Sequence, residues 1–406
     1  MKTTLPKILY VGPGTPELKT IQKFDFEERT LCVKHIPDEK QLKESLVEFK
    51  PDAIVTVGKS DRDFPKLFNE THEVRKRWFN VSEVTEDLGQ RAYFCAMNQI
   101  LTQNNSRTVS FFTSMYKTGK KLLRTYASLI NQIHKDWEWV LVHDSDDEET
   151  LEIAKKIAKD DHRVRVYNFE EKSGGNIGEA KYRAATLCRG FMLAELDHDD
   201  VLTETCALDL YNASLKYPDA GFFFTDWVEV NEQFQSLVYG PGFAFGYGKY
   251  RREHYKGHDW QVCDQHNINP KTIRHIVGIP NHIRAWRKSF YLAIGGHNRD
   301  MTIADDYELV VRSFLYTKFC KISRLGYIQI IYQNEQERNS HDVARADIQR
   351  RVASIAEFYN ESIANRFKQL KITDWVYEQK DKDLDEIPNR FGTEEGIANY
   401  IYNPNI

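Results

Sequence analysis

"GFMLAELDHDD", Gly190 to Asp200, reads as a small residue, a short apolar run, and then three carboxylates within four positions. The apolar run has the length and composition of a buried strand. Carboxylates are costly to bury alone and repel one another when clustered, so something positive belongs beside Asp197, Asp199 and Asp200. Side chains alternate along an extended backbone, which puts Asp197 and Asp199 on the same side. Two hard carboxylate oxygens at a strand end suit Mg2+ or Mn2+, which takes its remaining ligands from phosphate and water. Asp200 has a second reading, as the N-cap of a helix opened by "DDVLTET".

Upstream of this stretch the pattern is rhythmic. "RTVSFFTSMY" is strand-like, and "GKKLLRTYASLINQ" is an amphipathic helix with Leu122, Tyr126 and Leu129 on one side. "WEWVLVHDSDD" is a second strand running into acids, and "EETLEIAKKIAKD" a helix with Glu148 and Glu149 at its positive end. "RVRVYNF" and "IGEAKYRAATLCR" repeat the pair before the strand at Gly190. This β-α alternation predicts a mainly parallel, Rossmann-like sheet flanked by helices. Ligands of such sheets bind beyond the carboxyl ends of the strands, where "HDSDD" and "DHDD" both fall. Downstream, "PDAGFFFTDWVEV" is a strand, and Gly240 to Ile279 reads as a long loop. Arg251 and Arg252 would lie in that loop, as part of a lid over a bound ligand. "GIPNHIRAWRKSFYLAIGG" is a strand with a short helix, and "ADDYELVVRSFLYT" a helix with Leu309, Val310 and Phe314 inward.

The first 103 residues read as a separate small Rossmann-like α/β unit of unassigned role. "KILYVG" and "KPDAIVTVG" are buried strands around the helix "DEKQLKESLVEF", and "TEDLGQRAYFCAMNQIL" is a helix leading away. The turn "GPGTP" lacks the spacing of a dinucleotide fingerprint. Residues 104–340 form the second unit, and residues 341–406 a C-terminal helical extension.

Bulk composition excludes several classes. The chain has 406 residues, 41% of them hydrophobic, and a net charge of −4, which does not fit a nucleic-acid binder. Its six cysteines form no Cys-x-x-Cys pair, so no zinc site or disulfide framework is expected. No signal-peptide core and no membrane-length apolar run is visible, and a cytoplasmic protein is the expectation. A homo-oligomer is compatible with the sequence.

In their order, the motifs from about Thr108 to Ser340 resemble the inverting family 2 glycosyltransferases, which have the glycosyltransferase A fold. "TSMY" (Thr113–Tyr116) is similar to the family's Thr/Pro-x-Tyr element, and "VHDSDDEET" (Val142–Thr150) to "VDDGSTDGT", with His143 and Ser145 as departures. "AKYRAATLCRGFMLAELDHDD" matches the helix and strand leading to Asp-x-Asp, with Lys181 where arginine is usual. "GGHNRDMTIADDYEL" (Gly295–Leu309) matches the late Glu-Asp element, with Asp305 in place of the glutamate.

That resemblance implies roles. Thr113 and Tyr116 would border the nucleotide, with Tyr116 stacking on the base unless it packs in the core. Asp144 would accept the N3–H of uracil, which makes a UDP-sugar the expected donor. Lys181 would neutralise diphosphate, with Arg183 as an alternative. Asp197 and His198 would face the donor, and Asp199, Asp197 and His341 the metal, although His341 has a plain surface reading as well. Asp306 would be the catalytic base, with Asp305 capping the helix. His282, Arg284 and Trp286 would border the donor or acceptor pocket. The acceptor hydroxyl would belong to a glycan, a protein or a lipid-linked chain. The replacements leave open a catalytically reduced sugar-nucleotide or glycan-binding module, and a nucleotidyltransferase is a further, poorer match.

Overall fold

The computed structural model describes residues 5–12, 32–57, 74, 77–81, 83–84, 88–101, 107–240, 248–265, 267–270, 272–276, 280–332, 350–359, 361–363, 365 and 375–379. Two sheets organise them. The smaller contains β1 (Lys7–Val11), β2 (Cys32–Ile36), β3 (Ala53–Val57) and β4 (Trp78–Val81), in the order β2-β1-β3-β4. All three pairings are parallel. Helix α1 (Leu42–Glu48) follows β2 and buries Leu42, while helix α2 (Leu88–Leu101) leads out of the sheet. Strands β2 and β4 carry no clear alternation and were not expected from the sequence.

The larger sheet begins with β5 (Val109–Met115), followed by α3 (Lys121–Ile130), β6 (Trp137–His143), α4 (Glu148–Asp160), β7 (Val164–Asn168), α5 (Ile177–Leu187) and β8 (Met192–Glu195). Strands β7, β6, β5 and β8 lie side by side and parallel, as the β-α rhythm predicts. Phe111 and Phe112 show why this layer is stable. They are neighbours on β5, point to opposite faces, and are each at most 1% exposed. Burying a side chain of that size contributes roughly 2–3 kcal/mol. Phe111 joins Trp139 and Leu141 on one face, and Phe112 joins Val140, Val142 and Leu193 on the other.

Beyond β8 the chain makes the short β9 (Val201–Leu202), α6 (Cys206–Lys216), β10 (Ala220–Asn231), β11 (Lys249–Tyr255), β12 (His258–Asp264) and α7 (Thr272–His275). There follow β13 (Arg284–Arg287), α8 (Lys288–Ala293), α9 (Asp305–Tyr316), β14 (Lys318–Ile331) and β15 (Val376–Tyr377). Strand β13 inserts antiparallel between β8 and β10, and β14 runs parallel to β10. The expected loop from 240 to 279 is corrected here. Strands β11 and β12 pair antiparallel over seven residues each, from Lys249 opposite Asp264 to Tyr255 opposite His258, and extend the sheet edge. Arg251 on β11 pairs with buried Asp226 rather than standing in a loop. The segment expected as a C-terminal helical extension is helical at 350–359 and then returns to the large sheet, where β15 pairs with β14.

Helix α2 connects the two sheets physically. Its Arg91 donates through Nε to Asp219 at 2.7 Å, and the rings of Phe94 and Phe290 meet edge to face at 5.1 Å. One apolar cluster therefore runs from Ile8 and Tyr10 of β1 to Trp286 of β13. Among the described residues no helix is long and apolar enough to cross a membrane.

Candidate active site

The acid-bearing segments converge at the carboxyl ends of β5, β6 and β8, joined there by the start of β13 and of α9. Two neighbouring regions result, a cleft at the end of β6 and a charged lattice at the end of β8.

Tyr116, Lys117, Asp144, Ser145, Lys172 and Gly175 line the cleft, whose volume is about 580 Å3. Tyr116 follows β5 and is 58% exposed, so the core-packing alternative does not hold. The ring of Tyr116 lies 5.3 Å beneath the ammonium of Lys117. Asp144 follows β6, and its carboxylate accepts from the backbone N–H of Ser173 at 2.7 Å and from the Ser173 hydroxyl. Both bonds fix the plane of the carboxylate. The next acids serve a different purpose. Asp147 caps α4, accepting from the N–H groups of Glu149 and Thr150 at 3.2 and 3.3 Å.

Thr113 does not face this cleft. The residue is 1% exposed, and its hydroxyl donates to Leu196 O at 2.6 Å and accepts from Trp139 Nε1 at 2.9 Å. The expected donor contact through its side chain is thereby corrected: Thr113 ties the end of β5 to the backbone just before Asp197.

The lattice is centred on Arg284, which is 2% exposed. Nε of Arg284 meets Glu195 Oε2 at 2.9 Å, and Nη1 meets Asp306 Oδ2 at 2.7 Å. Lys181 meets Glu195 Oε1 at 2.6 Å and Asp305 Oδ2 at 3.3 Å. Lys181 is therefore walled in by carboxylates, and the lysines that line the nucleotide-sized cleft are Lys117 and Lys172. Arg183, the alternative, points elsewhere: it pairs with Glu179 and packs over Phe169. Trp286 is also removed from the site, being fully buried with its Nε1 donating to Ser313 at 3.0 Å.

Charge sets the protonation of this lattice. Burial opposes charge on Lys181, yet Asp305, Glu195, Asp197 and Asp306 together hold its pKa above the ordinary lysine value. Burial acts to raise Glu195, but Arg284 and Lys181 outweigh it and hold it well below the usual carboxylate range. The same balance, burial against Arg284 and Lys181, lowers Asp306. Asp305 is different: burial dominates, Asp306 and Glu195 add to it, and its pKa is pushed up to about 6. Asp306 is the accessible member of the pair, with its side chain 31% exposed against 4% for Asp305. Ala304 enters α9 in the left-handed conformation, φ 58°.

The "DHDD" acids divide by exposure. Asp197 accepts from His282 Nε2 at 3.0 Å and keeps 35% of its side chain exposed. Burial works to raise it, but His282 and Lys181 hold it far below the usual range. Asp199 is 20% exposed and lies 3.5 Å from His198 Nδ1. Asp200 does not cap a helix. It is 3% exposed and accepts from Tyr327 OH and Ile330 N–H, each at 2.8 Å, which fastens this turn to β14. Thr205 occupies the N-cap position of α6 instead.

Among the described residues no three His, Cys, Asp or Glu side chains gather as a ligand set. His341 lies outside the described residues. Asp199 and Asp197 nonetheless fit a hard divalent cation that takes most of its ligands from phosphate and water, because both present oxygen donors partly open to solvent. The lattice also carries more carboxylates (Glu195, Asp197, Asp305, Asp306) than the two cations Lys181 and Arg284 balance.

Sequence reading missed Glu195. It sits in the same alternation as Asp197 and Asp199, and that period-two signal was available. Tyr327, on an unassigned strand, had no local signal.

A model described as glycosyl transferase family 2 matches residues 110–269. The chain is similar to a chondroitin synthase of Escherichia coli, 22% identical over 58% of this chain and 31% of that protein. It is likewise similar to a hyaluronan synthase of Pasteurella multocida, 22% identical over 56% of this chain and 21% of that protein. The chain thus spans about a third and a fifth of the lengths of these two relatives. Among solved structures, S. aureus TarS 1-349 in complex with UDP-GlcNAc matches with a TM-score of 0.45 and 16% identity, over 64% of this chain and 72% of that one.

Proposed function

We propose, on the premise that residues 110–269 belong to glycosyl transferase family 2, that the protein moves a sugar from a UDP-sugar to an acceptor hydroxyl with inversion. The observation that carries this reading is the pairing of Asp306 with Arg284, which presents one ionised, accessible carboxylate beside the Asp197–Asp199 turn.

The nucleotide half rests on the cleft. Tyr116 offers an exposed ring for stacking on a base, and the fixed acceptor Asp144 suits the N3–H of uracil. Lys117 and Lys172 supply positive charge along the same cleft. Asp199, with Asp197, would hold Mn2+ or Mg2+, and that ion would supply the charge neutralisation that a departing diphosphate needs.

In the transfer the acceptor oxygen forms its bond to the anomeric carbon as the bond from that carbon to the diphosphate breaks. The electron pair leaves with the nucleotide, and the acceptor proton passes to Asp306. Asp306 is held below the usual carboxylate range, so it is ionised at neutral pH. A weak base suffices here because the acceptor oxygen becomes acidic as its new bond forms. The acceptor hydroxyl belongs in this reading to a glycan, a protein or a lipid-linked chain.

A panel of UDP-sugars, with UDP release as the readout, tests this. Wild-type protein is expected to release UDP from one donor, and Asp306→Asn to lose roughly 100–10,000-fold of that rate. Proton NMR of the product should show the inverted anomer. Binding of UDP without release from any donor would move the assignment to a sugar-nucleotide-binding module.

A further inference from the structure

One imidazole stands between the donor side and the base side of this site. His282 precedes β13 and is 5% exposed. Its Nε2 lies 3.0 Å from Asp197 Oδ2 and 3.2 Å from Arg284 Nη2. Arg284 in turn fixes Asp306 through Nη1 and Glu195 through Nε. The ring of His282 stacks on Tyr327 at 4.7 Å between centroids, with 19° between planes. The Tyr327 hydroxyl receives the backbone N–H of Asp197 at 3.2 Å and donates to Asp200 at 2.8 Å. The imidazole is thus held in one plane by a side chain that also anchors the turn carrying the aspartates.

We propose that His282 is a positioning residue, whose Nε2–H aims the Asp197 carboxylate at the donor while its edge braces the Arg284 guanidinium that aims Asp306. This inference rests on the glycosyl-transfer reading above and adds a coupling to it: seating of the donor and orientation of the base depend on one side chain. With its proton on Nε2, His282 donates to Asp197, the nearer partner; with its proton on Nδ1, the bare Nε2 accepts from Arg284 Nη2 at 3.2 Å. Without the imidazole, Asp197 would lose its donor and Arg284 one wall of its slot. A displacement of about 1 Å at either carboxylate is enough to cost roughly 100-fold in turnover.

A purely structural role would be satisfied by packing on Tyr327. His282→Phe keeps that stack and removes Nε2, whereas His282→Gln restores an amide N–H near the position of Nε2. Thermal melts first establish that both variants fold. UDP affinity with Mn2+ is then measured by calorimetry, and kcat and KM with whichever UDP-sugar the wild-type protein turns over. His282→Phe should weaken UDP binding and lower kcat, with a combined loss of roughly 10–100-fold, and His282→Gln should recover part of both. A loss in UDP affinity alone, with kcat intact, would overturn the coupling to Asp306. Wild-type values for folded His282→Phe would overturn the inference while leaving the glycosyl-transfer reading in place. If the wild-type protein neither binds UDP nor turns over any donor, the reading falls and this inference with it.

Discussion

Arg284 holds Asp306 at 2.7 Å from a position 22 residues earlier in the chain, and the same guanidinium holds Glu195 at 2.9 Å. Glu195 is 1% exposed and faces an arginine that is 2% exposed, so no water replaces the arginine there, whereas Asp306 keeps 31% of its side chain exposed. Removing one partner of a buried ion pair typically costs about 3–5 kcal/mol, because the other charge is left desolvated. Arg284→Met is therefore expected to lose stability on that scale in urea unfolding, together with any transfer activity. A melt within about 0.5 kcal/mol of wild type would contradict the buried lattice.

Asp305 gives the protein a pH signature. Its folded pKa, about 6, stands above the ordinary 3.8, so the folded state binds the proton more tightly than the unfolded chain. Stability from this group is complete below about pH 4 and is lost as pH rises through about 6. The step is worth about 3 kcal/mol. The lowered carboxylates Glu195, Asp197 and Asp306 act in the opposite sense, and their window lies below the ordinary carboxylate range. Asp305→Asn should remove the loss between about pH 4 and about pH 7, so the variant gains on wild type across that interval in denaturant titrations. A constant difference between the two proteins would show that Asp305 is ionised at both pH values.

Lys181 and Tyr116 should separate stability from binding. Lys181 is buried between Glu195 and Asp305, while Tyr116 is exposed on the cleft. Lys181→Met is expected to destabilise by about 3–5 kcal/mol. Tyr116→Ala is expected to leave the melt unchanged and to weaken UDP binding by about 1–3 kcal/mol, the usual worth of a base–aromatic stack. A UDP defect in Lys181→Met larger than that of Tyr116→Ala would restore the diphosphate role to the lysine.

Gly178 fixes where α5 begins. Its N–H donates to Met301 O at 3.0 Å, and a Cβ at this position would overlap the carbonyl oxygen of Asn298. The segment it touches runs directly into Asp305. Gly178→Ala should cost about 1–3 kcal/mol or more through overpacking, since backbone rather than a flexible side chain must move. Unchanged stability would mean that the 298–301 segment yields freely.

The parallel half of the large sheet was legible because each strand announces itself locally, by an apolar run closed with glycine or acid and followed by a helical period. Asp197 and Asp199 stood out as acids placed where an apolar run ends, whereas Asp306, at a helix start, was singled out through the family resemblance. Their partners were harder to read. Glu195 hides inside the apolar run that it terminates, and the pairings of Lys181 with Asp305 and of Arg284 with Glu195 join segments far apart in the chain. No local pattern encodes such contacts. Lys181 shows the consequence: the family resemblance implied a diphosphate partner, and the tertiary structure sets Glu195 and Asp305 beside it. Strands β11 and β12 were read as a loop because the surrounding run from Gly240 to Ile279 is rich in Gly, Tyr, His and Arg, yet their backbone pairing and the Arg251–Asp226 contact decide the outcome.

The most direct test of the central claim is calorimetric titration of UDP into wild-type protein and Asp199→Ala, each with and without Mn2+. UDP should bind wild type more tightly when Mn2+ is present, and Asp199→Ala should lose the metal-dependent part. UDP affinity that is indifferent to Mn2+ in both proteins, or no UDP binding at all, would contradict that claim.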